Sequence, residues 1–299
     1  MQTKINELAN LTRCKFLANE ALAKHTTWHV GGPADALFMP QSVEECIEVL
    51  NAATLQNIPF FILGNGSNLL VGDKGFRGIV IKTSALKNIT FTRDSVSAEC
   101  GVKLPLLAME SAKRSLSGLE FAAGIPGTIG GVVKMNAGAE GSSIANVFKK
   151  ALCWGNGKVF ETTYSDMDFS YRSSIIKRNP MMVLQVEFNL SFANNEEIKT
   201  RINQYVTARK TKQPLEYPNA GSVFKNPPGN FAGKLINEAG LKGKSIGGAI
   251  VSPKHANFIV NTGNATAMDI KNLINTIQLE VARSCGVNLE TEVEFVGEF

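Results

Sequence analysis

The sequence predicts an α+β chain of two or three domains, and three observations carry that prediction. At 299 residues the chain is long for a single core. Its first third passes from a helical pattern at Ser42–Asn57 to short apolar runs at Phe60–Leu63 and Gly78–Ile81, an α/β unit. Beyond that, strand patterns dominate until the composition shifts near residue 200 to a charged helix and an apolar last third.

The elements follow in order. Val43, Ile47, Leu50 and Leu55 recur at helical spacing behind Ser42, and Ser42 with Glu45 reads as a capping box. Pro59–Leu63 reads as a buried strand that runs into Gly64-Asn65-Gly66-Ser67-Asn68-Leu69-Leu70. Ile89–Phe91 and Val96–Cys100 read as strands, and Leu104–Arg114 as a helix entered through Pro105. Lys150–Trp154 and Lys158–Thr162 are joined by Gly155-Asn156-Gly157, a hairpin signal. Met182–Leu190 alternates as a strand with one wet face. Glu196–Lys210 is a helix with Ile198, Ile202, Tyr205 and Val206 on one stripe. A short helix at Ala232–Ala239 stops at Gly240, Asn257–Val260 is a strand, and a long helix from Thr266 ends at Gly286. Leu289–Phe295 alternates, with Glu290, Glu292 and Glu294 sharing one face; a solvated edge strand is the alternative to a functional one.

Composition removes several function classes. Hydrophobic content of 44% and charge of 19% fit a globular protein, and no segment has the length and apolarity of a membrane span. The opening MQTKINELANLTRCKF is polar and does not read as a secretory signal, which points to the cytoplasm. A net charge of +5 without Lys/Arg runs favours small anionic ligands over nucleic acid. Five scattered cysteines read as buried free thiols rather than a disulfide frame. Neither they nor His25, His29 and His255 have metal spacing, so no metal is expected; His255 reads as a local hydrogen-bonding residue.

Two stretches ask for bare backbone. Phe121–Gly138 (FAAGIPGTIGGVVKMNAG) holds five glycines and no acid. Glycine weakens helices and strands, so such a run needs a reason, and the usual one is N–H groups converging on an anion. The Gly64–Leu70 loop has the same character. Each alone could be a tight turn; together they read as a cradle for one large phosphate-bearing cofactor. The first lacks the third glycine and the following acid of a dinucleotide-binding fingerprint, and no Gly-Lys-Ser/Thr makes it a P-loop.

An ordered set of motifs resembles the UDP-N-acetylenolpyruvoylglucosamine reductases, the MurB family. It comprises Thr26-Thr27 with Gly31-Gly32-Pro33-Ala34-Asp35, GNGSNLL from Gly64, AGIPGTIGG from Ala123 and MNAGA from Met135. Tyr171-Arg172-Ser173-Ser174 and AGSVFKNP from Ala220 follow, then AGKLI from Ala232, HANF from His255 and LETEV from Leu289. Together they span nearly the whole chain. The resemblance implies the two-subdomain FAD-binding fold of the vanillyl-alcohol-oxidase (PCMH-type) flavoproteins plus a C-terminal α+β substrate domain. The implied division is residues 1–85, 86–200 and 201–299. The length matches the shorter of the family's two subtypes, which lacks the tyrosine loop that closes over substrate.

The resemblance implies NADPH-dependent reduction of an enolpyruvyl ether on a nucleotide sugar, in peptidoglycan precursor synthesis. Gly64, Asn65, Gly66, Ser67, Asn68 and Leu69 would hold FAD with Gly124, Ile125, Pro126, Gly127, Thr128 and Gly131, and with Asn136, Ala137 and Gly138. No His or Cys lies in or beside either glycine loop, so FAD is expected to be non-covalent. Arg172, Ser222 and Glu292 match the family's catalytic positions. Arg172 would clamp the carboxylate in a planar fork, Ser222 would give a proton to carbon, and Glu292, raised in pKa by burial, would share the enolate's charge. Read without the resemblance, Arg172 could be a surface ion-pair residue and Ser222 a turn residue, and Glu290 could compete with Glu292. Lys225 and Asn226, and more loosely Lys212, would contact the diphosphate or uridine; Arg209 and Lys210 could equally be the positive end of a helix. Lys134 and Asn237 depart from the expected neutral and acidic residues.

Overall fold

The computed structural model describes residues 1–299 and resolves into two compact units. Unit 1 comprises Met1–Ala18, Ala36–Asn65 and Gly78–Arg209; unit 2 comprises Asn19–Asp35, Gly66–Arg77 and Lys210–Phe299. No helix is long and apolar enough to cross a membrane, and all five cysteines are free, four of them buried.

Unit 1 is built on a five-stranded antiparallel sheet ordered Lys158–Thr163, Phe148–Gly155, Met181–Asn189, Ser95–Glu99, Ile89–Phe91. The expected hairpin heads it: Asn156 and Gly157 take φ of 51° and 75°, the paired left-handed conformations of a two-residue turn. Cys153 faces Phe160 on one side and Val183 on the other, and Val186 faces Ala98. Met181–Asn189 is the central strand and buries Met182, Val183 and Leu184 in succession. Its wet face is therefore reduced to the half-buried Gln185 and Glu187 and the exposed Asn189 at its end, because cores lie against both faces of the sheet.

One core packs Val186 and Phe188 with Leu104 and Leu107 of the helix Leu104–Ala112 and with Val132 and Val133 of the helix Ile129–Lys134. The other packs Leu184 with the helices Gln2–Thr12 and Val43–Leu55 and with Ile79 and Ile81. Those two isoleucines lie in a four-stranded sheet ordered Phe16–Ala21, Pro33–Phe38, Phe76–Lys82, Phe60–Leu63. Its last pair is parallel, with Phe60 against Ile79. Only Leu63 of Phe60–Leu63 is fully buried, so that strand is less enclosed than its apolar run suggests. The Val43–Leu55 cap is half of a capping box. Ser42 Oγ accepts the Glu45 N–H at 3.2 Å, but the Glu45 carboxylate takes the N–H of Gln41 at 2.6 Å.

Unit 2 centres on the helix Ala267–Cys285, laid on an antiparallel sheet of Ser245–Ile246, Ala249–Val251 and Ile259–Asn261. Ile270, Leu273, Ile274, Ile277 and Val281 form its buried stripe, as the spacing predicts, and Gly286 ends it in the left-handed conformation at φ 67°. Thr266 and Asp269 make a complete capping box at its start. Asp73 adds a second cap, its two carboxylate oxygens accepting the N–H groups of Ala267 at 2.8 Å and Met268 at 2.9 Å. Trp28 is fully buried in this core and donates its indole N–H to the Ile259 carbonyl at 2.8 Å.

The alternation over Leu289–Phe295 does not make one strand. Residues Glu290 to Glu292 pair with the segment Val223–Lys225, and only Glu294–Val296 is regular, running parallel to Leu69–Val71. The change of partner breaks the period: Val293 and Val296 are buried, while Phe295 is 40% exposed. The strand expected at Asn257–Val260 begins two residues later, at Ile259.

Candidate active site

The two glycine stretches can be built up from the backbone. Gly64 follows Leu63 out of the strand Phe60–Leu63, and a Cβ there would lie 2.3 Å from Thr128 Oγ1. The first loop and the second therefore touch at a point where only glycine fits. Gly66 takes φ +65°, and a Cβ on it would meet the His25 carbonyl oxygen at 2.2 Å. In the second stretch, Gly124 packs against the Arg209 side chain, 2.9 Å from a would-be Cβ to Cδ, and Gly130 packs on Cys100. Gly131 is exposed, with only Thr128 Oγ1 near.

These loops carry donors without protein acceptors. The backbone N–H groups of Asn65, Gly66 and Asn68 make no bond within the protein, nor do those of Gly124, Gly127, Thr128 and Gly131. Neither loop has an acidic residue. In each loop taken by itself, bare N–H groups beside close-packed glycine are donors of the kind that phosphate oxygens accept from. Arg209 adds a cation that the sequence left open between a contact to the substrate's diphosphate or uridine and the positive end of a helix. It is half-buried on the helix Asn195–Lys212, no carboxylate pairs with it, and burial alone draws its pKa down. A charge held there without a counter-charge, against a glycine stretch with open N–H groups, fits an anionic ligand. The residues present thus fit the pyrophosphate of FAD. Its spacing from the AGSVFKNP motif gave no hint; its packing on Gly124 does.

Arg172 sits at the tip of a small turn in unit 1. Ser170 and Ser173 exchange backbone N–H bonds at 3.0 and 3.2 Å, and Arg172 between them takes φ 55°. Left-handed backbone at an arginine is uncommon and aims its side chain away from the regular direction. The guanidinium lies 5.2 Å from the centre of the Tyr171 ring. The turn is tied to the end of the glycine stretch. Asn136 Nδ2 donates to the Ser170 carbonyl at 3.0 Å, its Oδ1 accepts the Ala145 N–H at 3.0 Å, and Ser174 Oγ donates to the Lys134 carbonyl at 2.8 Å. The Asn136 amide is thereby engaged inside the protein.

Ser222 and Glu292 lie in unit 2, brought together by the pairing that broke the last strand. The Glu292 N–H donates to the Val223 carbonyl at 2.8 Å, one residue from Ser222. Asn68 Nδ2 donates to the Glu292 carbonyl at 3.1 Å. The two glutamates of the LETEV motif separate here. Glu290 is turned out, 75% exposed and ion-paired with Lys225 at 2.9 Å, whereas Glu292 is half-buried. A charged partner in solvent takes Glu290 out of competition for a desolvated role.

Ser222 opens onto a cleft of about 460 Å³, whose walls include Asn226, His255 and the lysines Lys234, Lys242 and Lys254. No acidic side chain lines it. Lys254 also donates to the Lys210 carbonyl at 3.0 Å. The cleft thus takes in Ser222 and Asn226, but Lys225 turns to Glu290, and Lys212 is exposed at a helix end outside the lining. Lys242 and Lys254 were missed because each is a single lysine outside any basic run. His255 Nδ1 accepts the Asn257 N–H at 3.2 Å, the local role expected of it. Burial, and secondarily Lys242, lowers its pKa.

The chain matches two family profiles. One, described as the UDP-N-acetylenolpyruvoylglucosamine reductase C-terminal domain, covers residues 213–296. The other, described as an FAD binding domain, covers residues 34–163. A UDP-N-acetylenolpyruvoylglucosamine reductase of Caldanaerobacter subterraneus subsp. tengcongensis is 47% identical over 296 residues, 99% of this chain and 97% of that one. A crystal structure of UDP-N-acetylenolpyruvylglucosamine reductase (MurB) from Thermus caldophilus superposes with a TM-score of 0.83 at 38% identity, covering 95% of this chain and 99% of that one. A variant of Phl p 4, a glucose oxidase, shares the fold alone, with a TM-score of 0.50 at 12% identity over 64% of this chain and 44% of that one.

Proposed function

The chain belongs to the UDP-N-acetylenolpyruvoylglucosamine reductase (MurB) family, and from that premise we propose that Arg172, Ser222 and Glu292 carry its chemistry. The protein is an oxidoreductase of peptidoglycan precursor synthesis with the two-subdomain FAD-binding fold of the vanillyl-alcohol-oxidase flavoproteins. It reduces UDP-N-acetylglucosamine enolpyruvate to UDP-N-acetylmuramate, with NADPH as reductant. FAD, when bound, supplies hydride chemistry between NADPH and the enolpyruvyl double bond.

Reduction leaves negative charge on the inner alkene carbon and its carboxylate, and the protein must hold that charge and then protonate it. Arg172 clamps the carboxylate by a two-pronged hydrogen bond, which lysine could not match. Ser222 Oγ gives the proton to the inner carbon. Glu292 shares charge with the enolate as a hydrogen-bond donor. Asn226, Lys212 and Lys225 contact the diphosphate or uridine, and the lysines of the cleft hold the same anion. FAD is held without a covalent bond by Gly64–Leu69, Gly124–Thr128, Gly131 and Asn136–Gly138, with Asn136 acting through the Arg172 turn. We place the activity in the cytoplasm, with no nucleic-acid partner. Residues 1–85 and 86–200 serve the cofactor and 201–299 the substrate.

The observation that carries this reading is Ser222 one residue from the rung to Glu292, lining a cleft that holds three lysines and no acid. Anaerobic spectroscopy of the FAD-loaded protein tests it. NADPH should bleach the flavin and the enolpyruvyl substrate should restore it. Ser222→Ala should still be bleached at the normal rate while restoration collapses; equal loss of both half-reactions would refute Ser222 as proton donor.

A further inference from the structure

We propose that Asn257 is a positioning residue for this reaction, its carboxamide replacing a missing strand to fix Ser222 and Glu292 in register. The proposal rests on the reading of Ser222 and Glu292 above. Asn257 is 4% exposed, and every polar group it has is engaged. Its Oδ1 accepts the Phe224 N–H at 2.9 Å, and its Nδ2 donates to the Phe224 carbonyl at 2.8 Å. Its own carbonyl accepts the Val223 N–H at 2.9 Å, and its own N–H goes to His255 Nδ1 at 3.2 Å.

A primary amide presents one donor and one acceptor side by side, as a peptide unit does. Two residues facing each other in a hydrogen-bonded antiparallel pair exchange N–H and carbonyl in the same pattern. Asn257 therefore gives Phe224 what a neighbouring strand would give it. On the other edge, the segment is held by real backbone: Glu292 N–H to the Val223 carbonyl at 2.8 Å, and Lys225 N–H to the Glu290 carbonyl at 2.9 Å. Val223–Lys225 is thus the middle of a three-layer pairing whose third member is one residue, Asn257, which meets Val223 with its backbone carbonyl and Phe224 with its side chain.

That substitution has a use. A full strand on the Asn257 side would bring its own side chains over the segment, whereas a single carboxamide satisfies Phe224 and leaves Ser222 and Asn226 lining the cleft. It also makes the register sensitive to one side chain. Phe224 is 1% exposed, so without the amide its N–H and carbonyl are buried without partners, and the backbone must shift to find new ones. Any shift moves Ser222, two residues away, relative to Glu292.

The experiment measures the two half-reactions separately, under anaerobic conditions, on FAD-loaded protein. The variants are Asn257→Ala; Asn257→Asp, which keeps shape and acceptor but loses the donor; Ser222→Ala; and the Ser222→Ala, Asn257→Ala double variant. Both Asn257 variants should be reduced by NADPH at a rate near that of the parent. Their oxidation by the enolpyruvyl substrate should slow on the order of 100-fold, the effect of misplacing a reacting group by about 1 Å. The double variant should be no slower than Ser222→Ala alone, since a positioning residue has nothing left to position. A merely structural Asn257 would lower both half-reactions together, or add its full loss to that of Ser222→Ala; either result overturns the proposal. If Ser222→Ala itself leaves oxidation by substrate intact, the reading of Ser222 fails and this one with it. If Ser222→Ala collapses while both Asn257 variants stay fast, only this one fails.

Discussion

The side chain that Gly64 lacks would put its first carbon 2.3 Å from the Thr128 hydroxyl oxygen, so the two glycine loops are fitted to each other at this point. Gly64 is not in a left-handed conformation, so the restriction is steric and not conformational. Gly64→Ala should destabilise the protein by about 1–3 kcal/mol, the range for overpacking a fitted contact, and lower the flavin retained per chain. Thr128→Ala removes the close oxygen and leaves Cβ at 3.4 Å, so the double variant should recover much of the stability. Melting temperature and flavin content after gel filtration report both. A Gly64→Ala protein that melts and binds flavin like the parent would show that the loops have slack.

Arg209 makes a prediction with two signs. Its guanidinium is desolvated without a carboxylate, an arrangement unfavourable in the empty protein. Arg209→Gln should leave the apoprotein as stable as before, or more so. The same change should weaken FAD roughly tenfold, about 1.4 kcal/mol, and flatten the salt dependence of binding. Fluorescence titration of apoprotein with FAD at two ionic strengths measures this. Unchanged affinity at both would assign Arg209 to packing alone.

His255 should make stability depend on mild acid. Its folded pKa lies below the usual 6.5, from burial first and Lys242 after it. The unfolded chain therefore binds a proton more readily in that window. The stability His255 contributes is complete above 6.5 and is lost as pH falls toward the lower folded value. Protonation at Nδ1 would also break the bond from the Asn257 N–H. Denaturant midpoints between pH 7 and about 5 should fall less steeply in His255→Gln than in the parent. Parallel slopes would remove His255 as the source.

Much of the candidate site can be proposed from sequence because the residues that suggest it are local in the chain. Glycine runs without acids announce bare backbone, and AGSVFKNP and LETEV carry Ser222 and Glu292 as contiguous motifs. The buried stripe of Ala267–Cys285 could be read residue for residue, since helical period is a local property. What escaped depends on partners far along the chain. The alternation of Leu289–Phe295 is real as a pattern, but two different neighbours divide it, so Phe295 is exposed and Val296 buried. Nothing in Gly72-Asp73-Lys74 says that Asp73 caps a helix starting at Ala267. Arg209 and Lys242 gain meaning only from what packs beside them.

The tie between Trp28 and the Ile259 carbonyl joins residues 231 positions apart, and Asn261 returns a bond to the Trp28 carbonyl across 233. As the chain leaves the ribosome, Asn19–Asp35 and Gly66–Arg77 emerge early, yet their core companions Val251, Ile259 and Leu273 come last. Until synthesis is nearly finished, an indole and the apolar side chains around it have no shelter. This half of the molecule must therefore close late and slowly, as distant pairings do. Cutting the chain before Lys210 would strip the C-terminal piece of Trp28, Leu70 and the carboxylate that seats its longest helix.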